Sequence, residues 1–236
     1  MAYYRTPRII GRVVKTLFIL LIVAVNAVMI WRVFLSDRIP DKIDTMTYNS
    51  EIGKVYEEKG NDIILQYQNL STVTRGEKDA GYFGVPSCVF IPEAQQVQVV
   101  FRYNNSTLRH VAEDFDLPAI PDKENTYFDV TLVKTTDLTP DDLTDNNDPT
   151  KLTETRFRHS SVVRETTALY TYYRYVYDGV TIEDDTAAVF VDAYYPIDMD
   201  YTKDPYGTLC IYYNQLEWLN YRLTSADKKA LSGQGD

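Results

Sequence analysis

The chain has 236 residues and a net charge of −10, but the charge is unevenly laid out. Arg5, Arg8, Arg12, Lys15 and Arg32 stand in the first 36 residues with no acid among them, so the remaining 200 residues hold 19 cations against 34 acids. Such a body repels nucleic-acid phosphates and anionic headgroups, which excludes nucleic acid as a partner, and 200 residues suffice for one sizeable core or two small ones.

Residues 1–15 read as a basic tail. Thr16 to Leu35, TLFILLIVAVNAVMIWRVFL, is the only long apolar run. At about 1.5 Å per helical residue it spans about 30 Å, the thickness of a hydrocarbon core, so the spacing predicts one transmembrane helix over 16–35 with the lipid bilayer as its partner. Arg32 lies near the outer end, where its stem lets the guanidinium reach the interface. Tyr3, Tyr4 and Trp31 suit interfacial positions. Asn26, near the middle, offers an amide that either bonds a partner helix or is tolerated alone.

Four cations precede the run, whereas Asp37, Arg38, Asp41, Lys42 and Asp44 nearly cancel after it. The asymmetry predicts a single-pass protein of the plasma membrane, its N-terminus cytoplasmic and its C-terminal domain extracytoplasmic. The rival reading is a cleaved signal peptide, with Val25 and Ala27 meeting the small-residue rule. The apolar run continues through Leu35 and overshoots an h-region of about 7–15 residues, which favours a signal anchor.

Residues 36–80 read as a stalk with a short juxtamembrane helix. Pro40 discourages helix continuation. Asn49 offers a cap before Ile52, Val55 and Tyr56, spaced for a helix over about 50–58 that Gly60 ends.

From residue 81 to 222 the period becomes two. Val97, Val99, Phe101 and Tyr103 alternate with Gln98, Arg102 and Asn104, and similar patterns recur at Phe128–Lys134, Val189–Tyr195 and Thr208–Tyr213. With Tyr82–Ile91, Arg156–Arg164 and Tyr170–Tyr177 they make about seven strands without a long helix between them. This is the signature of an antiparallel β-sandwich rather than an α/β fold, and 20 tyrosines suit its pleated surfaces. Asp178-Gly179 reads as a hairpin turn, because glycine supplies the positive φ such turns need. Residues 137–151 read as a long polar loop, and 223–236 as a flexible tail.

Four features are candidates for function. The tyrosines Tyr170, Tyr172, Tyr173, Tyr175 and Tyr177 either present an aromatic binding face or cover the sheet. Cys88 and Cys210 either close a loop of about 120 residues as a disulfide worth several kcal/mol or are two buried apolar thiols. Asp141, Asp142, Asp145 and Asp148, and separately Asp198, Asp200 and Asp204, are carboxylate-dense loops of the kind calcium uses, though neither has EF-hand spacing. Asn69-Leu70-Ser71 and Asn104-Asn105-Ser106 fit the glycosylation pattern. No G-x-S-x-G elbow, P-loop, H-E-x-x-H or C-x-x-C is present, and two histidines 49 residues apart do not suggest a histidine metal site. The reading is therefore a non-enzymatic interaction or scaffold domain with a protein partner at the membrane or cell surface, and no cofactor or metal.

Two resemblances bear on this. In strand patterning and anchoring the chain resembles the immunoglobulin-like outer domains of bacterial surfaces, which implies a fold and no functional residues. A single-pass anchor followed by His110 or His159, then Thr208-Leu209-Cys210, then Arg222 resembles the layout of the sortase transpeptidases. That would imply a histidine partner, a Cys210 nucleophile and an Arg222 cation beside the oxyanion. The Thr-Leu-x-Thr-Cys signature is not matched before Cys210.

Overall fold

The computed structural model describes residues 6–31, 38–69, 83–124, 126, 128–136, 154–195 and 205–232. The chain divides into two units, Met1–Ile39 and Pro40–Asp236. Among the described residues of the first, Thr6–Trp31 form a helix, α1. Within it Gly11–Trp31, 21 residues, is long and apolar enough to cross a membrane, and none of it is covered by protein. The helix begins ten residues before the apolar run because backbone propensity, to which arginine and lysine contribute well, does not stop where hydrophobicity stops. Asn26 donates its amide to the carbonyl of Ile22, one turn back in the same helix, at 2.8 Å.

The second unit is mainly β, with two antiparallel sheets of six and four strands. Its strands are β1 (Gln66–Tyr67), β2 (Phe83–Ile91), β3 (Gln96–Asn104), β4 (Asp129–Thr135), β5 (Glu154–Phe157), β6 (Ser161–Thr166), β7 (Tyr170–Asp178), β8 (Ala188–Tyr194), β9 (Gly207–Tyr213) and β10 (Leu219–Asn220). Among the described residues four short α-helices accompany them: α2 (Asp41–Asp44), α3 (Ser50–Lys59), α4 (Thr107–Asp114) and α5 (Ser225–Leu231). The larger sheet runs β10-β1-β2-β3-β7-β6 and the smaller β5-β4-β8-β9. Alternate residues of both sheets, among them Val99, Phe101 and Tyr175 from one and Phe128, Val130 and Val191 from the other, share one buried core.

The run read as one strand over 156–164 is two. Residues 154–157 pair with β4 in the smaller sheet, and residues 161–166 pair with β7 in the larger. Because β5 reaches β4 only from Leu132 onward, the start of β4 lacks a strand neighbour on that side. Three tyrosines of the opposite sheet supply the missing donors. The hydroxyls of Tyr173, Tyr175 and Tyr177 donate to the carbonyls of Thr126, Phe128 and Val130 at 3.1, 2.8 and 2.9 Å. An unpaired buried carbonyl is costly, so this ladder explains why tyrosine, rather than phenylalanine, fills the inward face of β7.

Other differences from the sequence reading have equally local causes. Gly179 has the expected positive φ of 72°, but the turn does not close a hairpin. It carries the chain from β7 in the larger sheet to β8 in the smaller one. On β9 a bulge between the Val189 and Phe190 pairings admits both Ile211 and Tyr212 to the core, reversing the expected alternation so that Tyr213 joins Cys210 in the buried cluster on the opposite face of the smaller sheet. Helix α4 was not anticipated. Its Leu108 and Val111 pack into the core between the strand ends, and its buried positions 107, 108, 111 and 112 follow helical spacing.

The stalk and tail also differ. Asn49 does cap α3, accepting from the Ile52 amide, and Gly60 ends it. The segment from Pro40 belongs to the folded body, not to a free stalk. Of the residues read as a flexible tail, Ser225–Leu231 form α5, whose Leu231 is buried with Met46 and Ile52 in a second apolar cluster.

Candidate functional site

The face of β3 and β7 that points away from the shared core would meet water in an ordinary antiparallel sheet. Here it is covered by the segment that follows the apolar helix, and the contact is polar. Arg174, on β7, is 2% exposed. Its Nε donates to the carbonyl of Ile43 and its Nη2 to that of Asp44, both at 2.6 Å, while Nη1 reaches Gln98 Oε1 at 3.2 Å. Gln98 pairs with the backbone of Thr47 as a neighbouring strand would, accepting from its amide and donating to its carbonyl, each at 2.9 Å. It also donates to Gln96, which donates to Asp178 Oδ1, an oxygen shared with the Asn49 side chain.

The far side of the segment is held from the C-terminus. Asp227, on α5, accepts from the amide of Met46 at 3.0 Å and from Tyr221, Thr224 N and Thr224 Oγ1 at 2.7–2.9 Å. Burial pushes the Asp227 carboxyl up, but the bonds from Met46, Thr224 and Tyr221 outweigh it and hold the group below its ordinary value. Burial pulls the Arg174 guanidinium down, and Asp227, followed by Asp44, works against that pull. The result is a clamp: charged and amide side chains grip main-chain atoms of residues 43–47.

A second polar cluster lies on the smaller sheet, on the face away from the shared core. Arg156 Nη1 donates to Tyr194 at 2.8 Å and lies 3.4 Å from Asp192, and its Nη2 pairs with Glu154 at 3.0 Å. Thr208 donates to the other Asp192 oxygen at 2.9 Å. Burial pushes the Tyr194 hydroxyl up to about 12, and Asp192 adds to it, so it stays a neutral phenol. Asp192 and Thr131 are almost wholly buried, and the Thr131 hydroxyl has no hydrogen-bond partner.

The residues singled out from sequence are distributed differently. Tyr172, Tyr173, Tyr175 and Tyr177 are all buried, and only Tyr170 keeps partial exposure, with Arg102 stacked over its ring at 4.6 Å. These five do not form an aromatic platform for a ligand, since three face the core and Tyr172 faces the opposite way. Cys88 and Cys210 are separate thiols. Cys88 packs against the shared core, whereas Cys210 belongs to the cluster on the opposite face of the smaller sheet. Both acidic loops lie outside the described residues. So does most of the first glycosylation pattern, while Asn104 of the second accepts from Ser106 in a tight local turn. Among the described residues no group of three or more His, Cys, Asp or Glu side chains has the arrangement to hold a metal.

No family model, curated protein or solved structure matches the chain.

Site chemistry therefore rests on geometry alone. Cys210 is buried, with its thiol turned to the Tyr212 carbonyl at 3.1 Å. His159 follows β5, at the opposite edge of the four-stranded sheet from β9, so about 14 Å of strand spacings separate their axes. The His159 ring lies tilted against that of Tyr175, centroids 5.1 Å apart, with its Nδ1 3.9 Å from Asp129. His110 lies on α4 beside Glu113. His159 and Cys210 of the sortase-like grouping are therefore not brought together. Burial also pushes the Cys88 thiol up to about 12, the opposite of an activated nucleophile.

The clamp was missed because Arg174 reads as one polar residue in a tyrosine run, and Gln98 as one of the solvent-facing positions of β3. The available signal was that Gln96 and Gln98, uncharged amides, occupy a face that lysine and glutamate usually take.

Proposed function

We propose that this chain is a membrane-anchored, extracytoplasmic interaction or scaffold protein without a catalytic site, and that its body is an immunoglobulin-like sandwich. The observation that carries the anchoring is the exposed helix. A 21-residue apolar span with no protein cover is stable in lipid, where its side chains need no partner. The basic residues before it and the acidic body after it support a cytoplasmic N-terminus at the plasma membrane.

Strand order supports the sandwich. Leaving out the two-residue strands, the sheets run β2-β3-β7-β6 and β5-β4-β8-β9. This is the order A-B-E-D and C′-C-F-G of immunoglobulin domains. The strands in the B and F places contribute Val97, Val99, Val189 and Val191 to the core, with no cystine between them.

A binding role rather than a reactive one is supported by the separation of His159 from Cys210. A protein partner at the membrane or cell surface is the expected ligand. Photocrosslinking the full chain in native membranes, followed by identification of the attached proteins, tests the role. A defined partner retained by Cys210→Ala supports it, and loss of capture in that variant alone overturns it. The anchor is tested separately by sequencing the mature N-terminus, since a product beginning after Ala27 would be a secreted protein.

A further inference from the structure

We propose that the C-terminal helix α5 is a latch on the juxtamembrane segment, holding residues 40–49 against the larger sheet by closing a buried cation–anion pair around their backbone. The geometry is directional. Carbonyls of Ile43 and Asp44 face the Arg174 guanidinium, and the amide of Met46 faces the Asp227 carboxylate. The two charged groups come from strands and helices 53 positions apart in sequence, and the segment between them satisfies both.

The pair is interdependent because Arg174 is almost completely buried and has no carboxylate among its hydrogen-bond acceptors, which are two carbonyls and an amide oxygen. Asp227 is the first of the charges that favour its ionised form. Withdrawing Asp227 leaves a buried guanidinium without its main anion, a state relieved by letting water in. Water reaches Arg174 by displacing residues 43–47, which lie over it.

Helix α5 is suited to be the moving part. It has seven residues, too few to persist once undocked. It is held through Asp227, which also closes its capping box with Thr224, and through Leu231 in the cluster with Met46 and Ile52. When it leaves, the two groups that fix Met46 leave with it. The freed segment 40–49 then extends to about 33 Å of chain between the apolar helix and the body. A protein that binds α5, or a protease that removes it, thereby lengthens the tether.

Native-state hydrogen exchange on the full chain in nanodiscs tests this. In increasing sub-denaturing urea, the amides of Met46, Thr47 and Lys228 are expected to open together, at least about tenfold more readily than those of Val99 and Tyr175. Asp227→Asn, which keeps the shape and removes the charge, is expected to raise exchange at Met46 and Thr47 by about tenfold or more while β3 and β7 keep theirs. The latch is overturned if Met46 and Thr47 retain wild-type protection in Asp227→Asn. It is equally overturned if, in the wild type, they exchange only when β3 and β7 do. The second reading requires no variant to fold. Both concern amides within the body, so neither depends on which side of the membrane it occupies.

Discussion

Tyr173, Tyr175 and Tyr177 each donate a hydroxyl proton to a carbonyl 47 positions earlier, at every second residue of the segment entering β4. The ring fills the core and the oxygen replaces a missing strand. Tyr177→Phe should therefore cost about 1–2 kcal/mol, the value of leaving a buried carbonyl unpaired, read as a lowered urea midpoint at constant slope. Tyr170→Phe, on a half-exposed ring, should stay within about 0.5 kcal/mol. Gly207 gives a second residue-scale contrast. A Cβ there would stand 2.6 Å from the Phe83 ring, which is itself wedged against Phe101, Phe128 and Tyr206. Gly207→Ala should destabilise by about 1–3 kcal/mol in the same assay. Gly53→Ala meets the ring of Tyr48, but Tyr48 is largely exposed and can swing away. It should be nearly neutral.

At the scale of elements, α5 and the juxtamembrane segment behave as one piece because a carboxylate joins them. The folded-state pKa of Asp227 is held below its ordinary value, so the unfolded chain takes up the proton more readily. The stability this contributes is fully present above about pH 4 and is lost as pH falls through the lower folded value. Asp227→Asn should lower stability at neutral pH and flatten that part of the acid limb in urea titrations from neutral to acidic pH. A parallel loss at every pH would refute the assignment. The period-two runs revealed the strands β2, β3, β4, β7, β8 and β9 to within a residue or two, since alternation is a property of the backbone itself. The stretch read as one strand over residues 156–164 crosses from β5 into β6, which belong to different sheets. Alternation records which way neighbouring residues face and is silent on which partner strand they find. Helix α4 was readable from its spacing, yet it lies between two strong strand patterns and is only eight residues long.

For the whole molecule, the proposed topology predicts that a reporter fused after Asp236 resists protease added to the cytoplasmic side. Digestion of the reporter would reverse the orientation. Thiol chemistry provides an independent check on the fold. A count on the denatured, unreduced protein should find both Cys88 and Cys210 free, and an alkylating probe at mildly alkaline pH should leave the folded body unlabelled. What the residues determined by themselves was local: a span apolar enough for lipid, the sign of charge on either side of it, a capped helix after Asn49, and strands wherever side chains alternate. What only the tertiary structure decided was which face of each strand stays dry. Arg174 and Gln98 occupy positions that a solvated sheet would leave in water, and they are buried because residues 43–47, distant in the chain, lie across them. That cover comes from long-range contacts, and no short stretch of sequence contains them.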